Sequence, residues 1–452
     1  MRPFVSLMLV LVVALNAGAQ GAPTNTLTLD QALEIATKNN PAYQQALLGR
    51  NRAQAQVRAA YGTLLPSADA SGSFGFREGR PQNFGGLSFG ASSDIVSSNW
   101  NLSANSRISW NTFNQIRRAN ASLDAADADV TAAQFQLSAQ VQQQFLLALQ
   151  TQARADFQDT LVVQQRLQLE LTQARAGVGA LTSLDVKRAE VGLGQQEVAA
   201  LRARNTADVA KLQLYQQLGI AMPETVSLSA NLTMTPLTMT VADLLETARR
   251  VNPALKAVNA RANAAQASVN AARGEYTPTL SFNANVSAFT QKQLDFDVSG
   301  LPPAQQEQIL ASNARYPFDF TRNPYNLSMG LSIPLFDGLG RETRLQEANA
   351  FREDARYSIR RQELQLTADV TTAYVTLQAA FRAAELQQRT AVTAREALQL
   401  AEERYRVGAS TFVDLTTARS EFERAETDRI DAVYEFHRAF AALENAVGRS
   451  LR

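Results

Sequence analysis

His437 is the only histidine in the 452-residue chain, and there is no cysteine at all. It lies on a helical stretch with Tyr434 and Phe440 nearby and no ligand or nucleophile at a workable spacing, so it reads as a structural side chain. Without thiolates there can be no disulfide, cysteine nucleophile, thiolate metal site or lipid on an N-terminal cysteine. Carboxylates are plentiful, but Glu402, Glu403, Glu421 and Glu423 fall on long Arg-containing stretches, where solvated faces and ion pairs account for them. No phosphate-cradling glycine loop, zinc spacing or hydrolase elbow occurs. The chain therefore reads as a non-enzyme, with no cofactor, metal or catalytic residue. The tightest polar patterns left are Thr182-x-x-Asp185 and Thr411-x-x-Asp414, each just after a glycine, Gly179 or Gly408. That spacing suits a capping box with Asp in place of Glu, restarting a helix after a turn.

Both patterns belong to a larger repetition. Asn40-Pro41-Ala42 recurs as Asn252-Pro253-Ala254, and the match runs on at an offset of 212 through Gly62/Gly274 and Pro66/Pro278. A second gap-free block, at offset 229, pairs Arg175/Arg404, Val178/Val407, Gly179/Gly408, Asp185/Asp414 and Gly219/Gly448. The extra residues are expected mainly in the loop Thr290 to Pro324, longer than its counterpart Arg77 to Ser98. Such a duplication predicts two copies of one supersecondary unit, residues 20–219 and 241–452, joined by a linker at 220–240.

Each unit opens with an amphipathic stretch and then Asn-Pro, a favoured way to begin a helix. Helices of about 23 residues follow, from Pro41 and from Pro253, each ended before a proline. Gly and Pro are absent over 115–176 and 341–407, so two helices of roughly 90 to 100 Å are expected. In each unit the short helix plus the one restarted after the glycine turn matches the long helix, predicting two helices stacked end to end beside it.

Between the short and long helices lie segments of strict alternation, expected as strands near 67–76, 99–110, 279–289 and 325–335. Trp100, Leu102 and Trp110 take one face against Asn101, Ser103 and Ser109. Leu280 and Phe282 alternate with Ser281 and Asn283, and Tyr325, Leu327 and Leu331 with Asn326 and Ser328. Each run is about 10 residues, the length of a tilted membrane strand, although a soluble sandwich would show the same pattern. In lipid, four strands cannot close, and open edges leave costly unpaired backbone groups. Several copies must then share a barrel; two give eight strands and three give twelve, wide enough for a lumen. Residues 1–19 read as a secretory signal, with Arg2, an apolar run from Phe4 to Leu15 and Ala17-Gly18-Ala19. Charge is balanced, 43 basic against 42 acidic residues, so no nucleic-acid partner is expected.

The signal, the duplicated unit and the segments Tyr405-x-Val407-Gly408-x5-Asp414 and Val178-Gly179-x5-Asp185, with Leu64-Leu65-Pro66 in support, make the chain resemble the TolC-like outer-membrane efflux family over its whole mature length. The resemblance implies a mainly α fold with a membrane β-barrel portion, a homotrimer of twelve strands and twelve helices forming a periplasmic tunnel in the outer membrane. It implies a passive exit duct for efflux or type I secretion, reached through a periplasmic adaptor (membrane fusion protein) by an inner-membrane pump. The turns Val178, Gly179, Ala180, Leu181, Thr182 and Val407, Gly408, Ala409, Ser410, Thr411 correspond to the family's adaptor-docking tips. Asp414 falls on the first acidic position of the family's periplasmic gate, and Thr417 replaces the second. A family link between tyrosine and aspartate maps to Tyr405 and Asp185, while Ser410 stands at the partnering arginine position. A secreted or periplasmic coiled-coil rod without a channel is the alternative, and a periplasmic adaptor would present one hairpin rather than two.

Overall fold

The computed structural model describes residues 26–79, 82–89, 93–179, 181–224, 226–230, 232–294, 299 and 302–451; the signal assigned to 1–19 and the tip residue Ala180 lie outside them. In chain order the first half contains β1 (Thr26–Leu27), α1 (Leu29–Asn39), α2 (Pro41–Gly62), β2 (Ser67–Arg77), β3 (Gln82–Phe84), β4 (Leu87–Phe89), β5 (Ile95–Ser109), α3 (Trp110–Gly177) and α4 (Ser183–Leu218). The second contains β6 (Ser227–Leu228), α5 (Val241–Val251), α6 (Pro253–Gly274), β7 (Thr279–Gln293), α7 (Pro303–Ala314), β8 (Thr321–Arg322), β9 (Asn326–Ser332), α8 (Gly340–Arg406) and α9 (Phe412–Val447).

The long helices α3 and α8 have 68 and 67 residues and so reach about 100 Å. Beside α3 lie α4 and α2, of 36 and 22 residues; beside α8 lie α9 and α6, also 36 and 22. The end-to-end joints have one chemistry used twice. Asn40 caps α2 by accepting from the amides of Ala42 and Tyr43, while its side-chain amide donates to the Gln217 carbonyl at the end of α4. Asn252 accepts from the Leu255 amide and donates to the Ala446 carbonyl at the end of α9. Gly219 and Gly448 end α4 and α9 in the left-handed region, at φ 77° and 90°. A β-carbon on Gly448 would stand 2.7 Å from Asn252 Cα, so the short helices meet only because glycine is there.

The short helices α1 and α5 cover these joints. Ala32 and Ala36 of α1 bury against Val141, Phe145, Leu214 and Leu218, and Leu244 and Ala248 of α5 bury against Val370, Leu377, Phe440 and Leu443. Full burial of a side chain such as Phe145 contributes about 1.5–3 kcal/mol, and alanines elsewhere let the rods approach closely. Within the expected linker 220–240, β6 pairs in parallel with β1, tying the start of the first half to the second.

Two expectations need correction. The alternation expected to run through Trp110 stops one residue short, because Ser109 becomes an N-cap: it accepts from the Thr112 amide while its own amide donates to Thr112 Oγ1. Trp110 is thus the first helical residue of α3, exposed beside Phe113 with the Arg117 guanidinium over its ring. In the longer loop, residues through Gln293 extend β7, and Pro303 begins the unforeseen helix α7.

Candidate functional site

At one end of the rods lie the two helix turns. Helix α3 ends at Gly177 and α4 restarts at Ser183; α8 ends at Arg406 and α9 restarts at Phe412. Gly179 and Gly408 adopt φ 78° and 75° in open space, so they serve the turn rather than a close contact. Thr182 and Thr411 are the N-caps, each completed by the Asp three residues on. Asp414 Oδ2 accepts from the Thr411 amide at 3.0 Å and from its hydroxyl at 2.8 Å, with Ser410 Oγ at 3.4 Å. These bonds to Thr411 hold its carboxyl below the ordinary value of 3.8, and those to Thr182 do the same for Asp185. Thr417 returns its hydroxyl to the Val413 carbonyl.

Tyr405 is buried, its ring packed by Phe412, Leu415 and Phe422. The link expected between Tyr405 and Asp185 is not formed: Asp185 Oδ2 is taken by the Thr182 amide and hydroxyl, at 3.1 and 2.7 Å, and the Tyr405 hydroxyl makes no well-formed hydrogen bond. Burial raises the Tyr405 phenol above its ordinary value; Arg175 opposes the rise and Asp185 adds to it. Arg175 is the group that joins the two tips, donating Nη2 to the Arg406 carbonyl at 3.0 Å with its guanidinium 5.5 Å from the Tyr405 ring centroid. Sequence reasoning gave it no role, although a basic residue in a helix's last turn is a usual partner for terminal carbonyls. Around these turns Val178, Val407, Leu184 and Val413 stand exposed, Val178 at 81%.

At the other end the strands form one antiparallel sheet in the order β2-β5-β7-β9, with β8 also on β7. The register places Ala70 opposite Leu102, Leu102 opposite Val286, Trp100 opposite Ala288 and Ile108 opposite Leu280. On the far side Leu280 faces Leu331, Phe282 faces Met329 and Ala284 faces Leu327. Paired residues share a face, so one surface of the sheet is apolar across all four strands. The other is polar: Ser71 lies opposite Asn101 and Asn101 opposite Ser287, Ser103 lies opposite Asn285 and Asn285 opposite Asn326, and Asn285 donates diagonally to Asn101. Leu102, Phe282, Leu327 and Leu331 are exposed, as is Tyr325 just before β9. Among the described residues β2 and β9 each have one free edge.

A family model described as "Outer membrane efflux protein" matches residues 32–220 and 244–449. Protein CyaE of Bordetella pertussis is 26% identical over 433 residues, which is 93% of this chain and 84% of that protein. The pyoverdine export outer membrane protein OpmQ of Pseudomonas putida is 26% identical over 437 residues, 93% of this chain and 85% of that one. The Campylobacter jejuni CmeC outer membrane channel shares the fold with a TM-score of 0.74 at 15% identity, over 93% of this chain and 85% of that one. Duplicated rods, capped turns and a four-stranded sheet with one apolar face are thus those of a chain that belongs to the outer membrane efflux protein family.

Proposed function

We propose that this chain is one third of a passive exit duct: three copies close a twelve-stranded barrel in the outer membrane and extend their helices as a periplasmic tunnel. A periplasmic adaptor joins that tunnel to the inner-membrane pump that supplies the energy. The observation that carries this reading is the sheet with one apolar face and a raw edge at each side. A strand of 15 residues such as β5, at about 3.3 Å per residue and a tilt near 45°, rises roughly 35 Å, enough for the apolar band of a bilayer. Unpaired backbone groups are costly in hydrocarbon, so the edges of one copy must be met by those of the next. Twelve strands leave a lumen, and the Asn and Ser face lines it.

The exposed Val178, Val407, Leu184 and Val413 support docking of the adaptor at the turns, since exposed apolar groups grouped at a rod's end favour a partner. Asp414, exposed at the start of α9, supports a role at the tunnel mouth. Purified protein should need detergent, scatter as about three chains of 49.2 kDa less the signal, and conduct in planar bilayers. A monomer that stays soluble without detergent would overturn the proposal.

A further inference from the structure

Given the ring of copies proposed above, the duplication assigns a partner to an arginine whose side chain has no hydrogen bond or ion pair among the described residues. Arg175, in the last turn of α3, reaches the carbonyls of Tyr405 and Arg406 at 3.4 and 3.0 Å and lies over the Tyr405 ring. It thereby joins the first half of the chain to the second. At offset 229 its counterpart is Arg404, in the last turn of α8, and the counterparts of Tyr405 and Arg406 are Ala176 and Gly177. Arg404 is exposed, and among the described residues its side chain has neither a hydrogen bond nor an ion pair.

In a ring of duplicated chains, each boundary between first and second half within a chain alternates with a boundary between the second half of one copy and the first half of the next. Within the chain that boundary is built by α3 on α9, α3 on α6 and β5 on β7. Between copies the corresponding elements are α8 on α4, α8 on α2 and β9 on β2. We infer that Arg404 donates to the carbonyls of Ala176 and Gly177 of the neighbouring copy, as Arg175 does to Tyr405 and Arg406 within the chain. Those acceptors sit among the last carbonyls of a helix, beyond its own ladder; the Ala176 carbonyl already accepts from the Gly179 amide at 3.0 Å, as the Tyr405 carbonyl accepts from Gly408 at 3.2 Å beside Arg175, and the second lone pair is the one open to a guanidinium. A guanidinium can fork onto two of them where an ammonium would meet one.

The two latches differ in one respect. Arg175 also has the face of Tyr405, whereas Arg404 would meet Ala176, which has no ring, so the latch between copies lacks the cation–π contact.

Because the chain has no cysteine, Arg404→Cys with Gly177→Cys, treated as the assembled protein with a short bis-maleimide, reads this contact directly. Covalent dimers and trimers should appear on a denaturing gel and be absent from either single variant; Ala176→Cys serves if Gly177→Cys misfolds. In bilayers Arg404→Ala should raise the open-to-closed ratio about tenfold or more, the worth of a lost bond to a charged donor, with Arg404→Lys in between. If the double variants yield only single chains while amine cross-linking of the same sample still gives trimers, the latch is wrong and the ring stands. Wild-type protein that neither cross-links nor scatters as a trimer overturns both.

Discussion

Substituting Gly448 by Ala separates the two uses that this chain makes of a left-handed glycine. At Gly408, φ is 75° and a β-carbon would meet nothing within 4 Å, so Gly408→Ala costs only the conformational strain, about 1–2 kcal/mol. At Gly448, φ is 90° and the added carbon would fall 2.7 Å from Asn252 Cα and 2.8 Å from Pro253 Cδ, atoms that cannot rotate away. To relieve the clash, the start of α6 must back off, weakening the 3.0 Å bond from Asn252 to the Ala446 carbonyl at a further cost of about 0.5–1.5 kcal/mol. Strain and lost bond together come to about 1.5–3.5 kcal/mol. Hydrogen exchange of the α6 amides Leu255 and Lys256 reports local opening of this joint without requiring two-state unfolding of the whole protein. Their protection should fall roughly 10- to 300-fold in Gly448→Ala, at about 1.4 kcal/mol per tenfold, and stay near wild type in Gly408→Ala. Equal loss at α6 in both variants, or none in Gly448→Ala, would refute the idea that close approach makes this glycine necessary.

Other tests address the sheet and the turns. Leu102→Arg, on the apolar face, should cost about 2–4 kcal/mol if that surface meets mid-bilayer lipid and so abolish membrane assembly, whereas Asn101→Arg on the opposite face should still assemble; heat-resistant trimers on gels would tell them apart. Asp414→Ala should raise single-channel conductance or lower cation preference, and unchanged traces would remove Asp414 from the tunnel mouth. The lowered acidities of Asp185 and Asp414 predict a pH response. A carboxyl held below its unfolded value stabilises the turn above about 3.8, and that contribution fades as pH falls further, through the still lower folded value. Amide exchange at Asp185 and Asp414 should therefore quicken, beyond its intrinsic trend, as pH falls below 4, and Thr411→Val should remove the response at Asp414 alone.

Most of this architecture could be read from the sequence because its signals are local and occur twice. Asn-Pro at 40 and 252, Gly-x-x-Thr at 179 and 408, and 60-odd residues free of Gly and Pro each constrain the backbone within a few residues, and the duplication checks each signal against the other half. The end-to-end joints followed from helix lengths, but their chemistry did not: that Asn40 reaches Gln217 depends on a contact across 177 positions. Trp110 misled because a side chain on the apolar phase of an alternation and one at the first position of a helix look alike until Ser109 and Thr112 are seen to cap. The tip was legible as a turn and Arg175 as a basic residue in a last turn, but not which carbonyls it clamps, since those belong to the other half of the chain, 230 and 231 positions away. The missing bond between Tyr405 and Asp185 has a different origin: the Thr182-x-x-Asp185 capping box, itself readable from the spacing, takes the carboxylate that a link to Tyr405 would need.

The raw borders of the sheet also bear on how such a subunit comes into being. In the three-copy ring proposed above, each copy carries an oily ribbon and two hungry margins until it meets two siblings, so its concentration and its escorts matter as much as its fold. A shortened sibling that kept β2 but lost β9 could fasten to one margin and offer nothing to the next arrival. Made alongside the intact protein, it would poison assembly in proportion to its share, stranding healthy copies in incomplete rings.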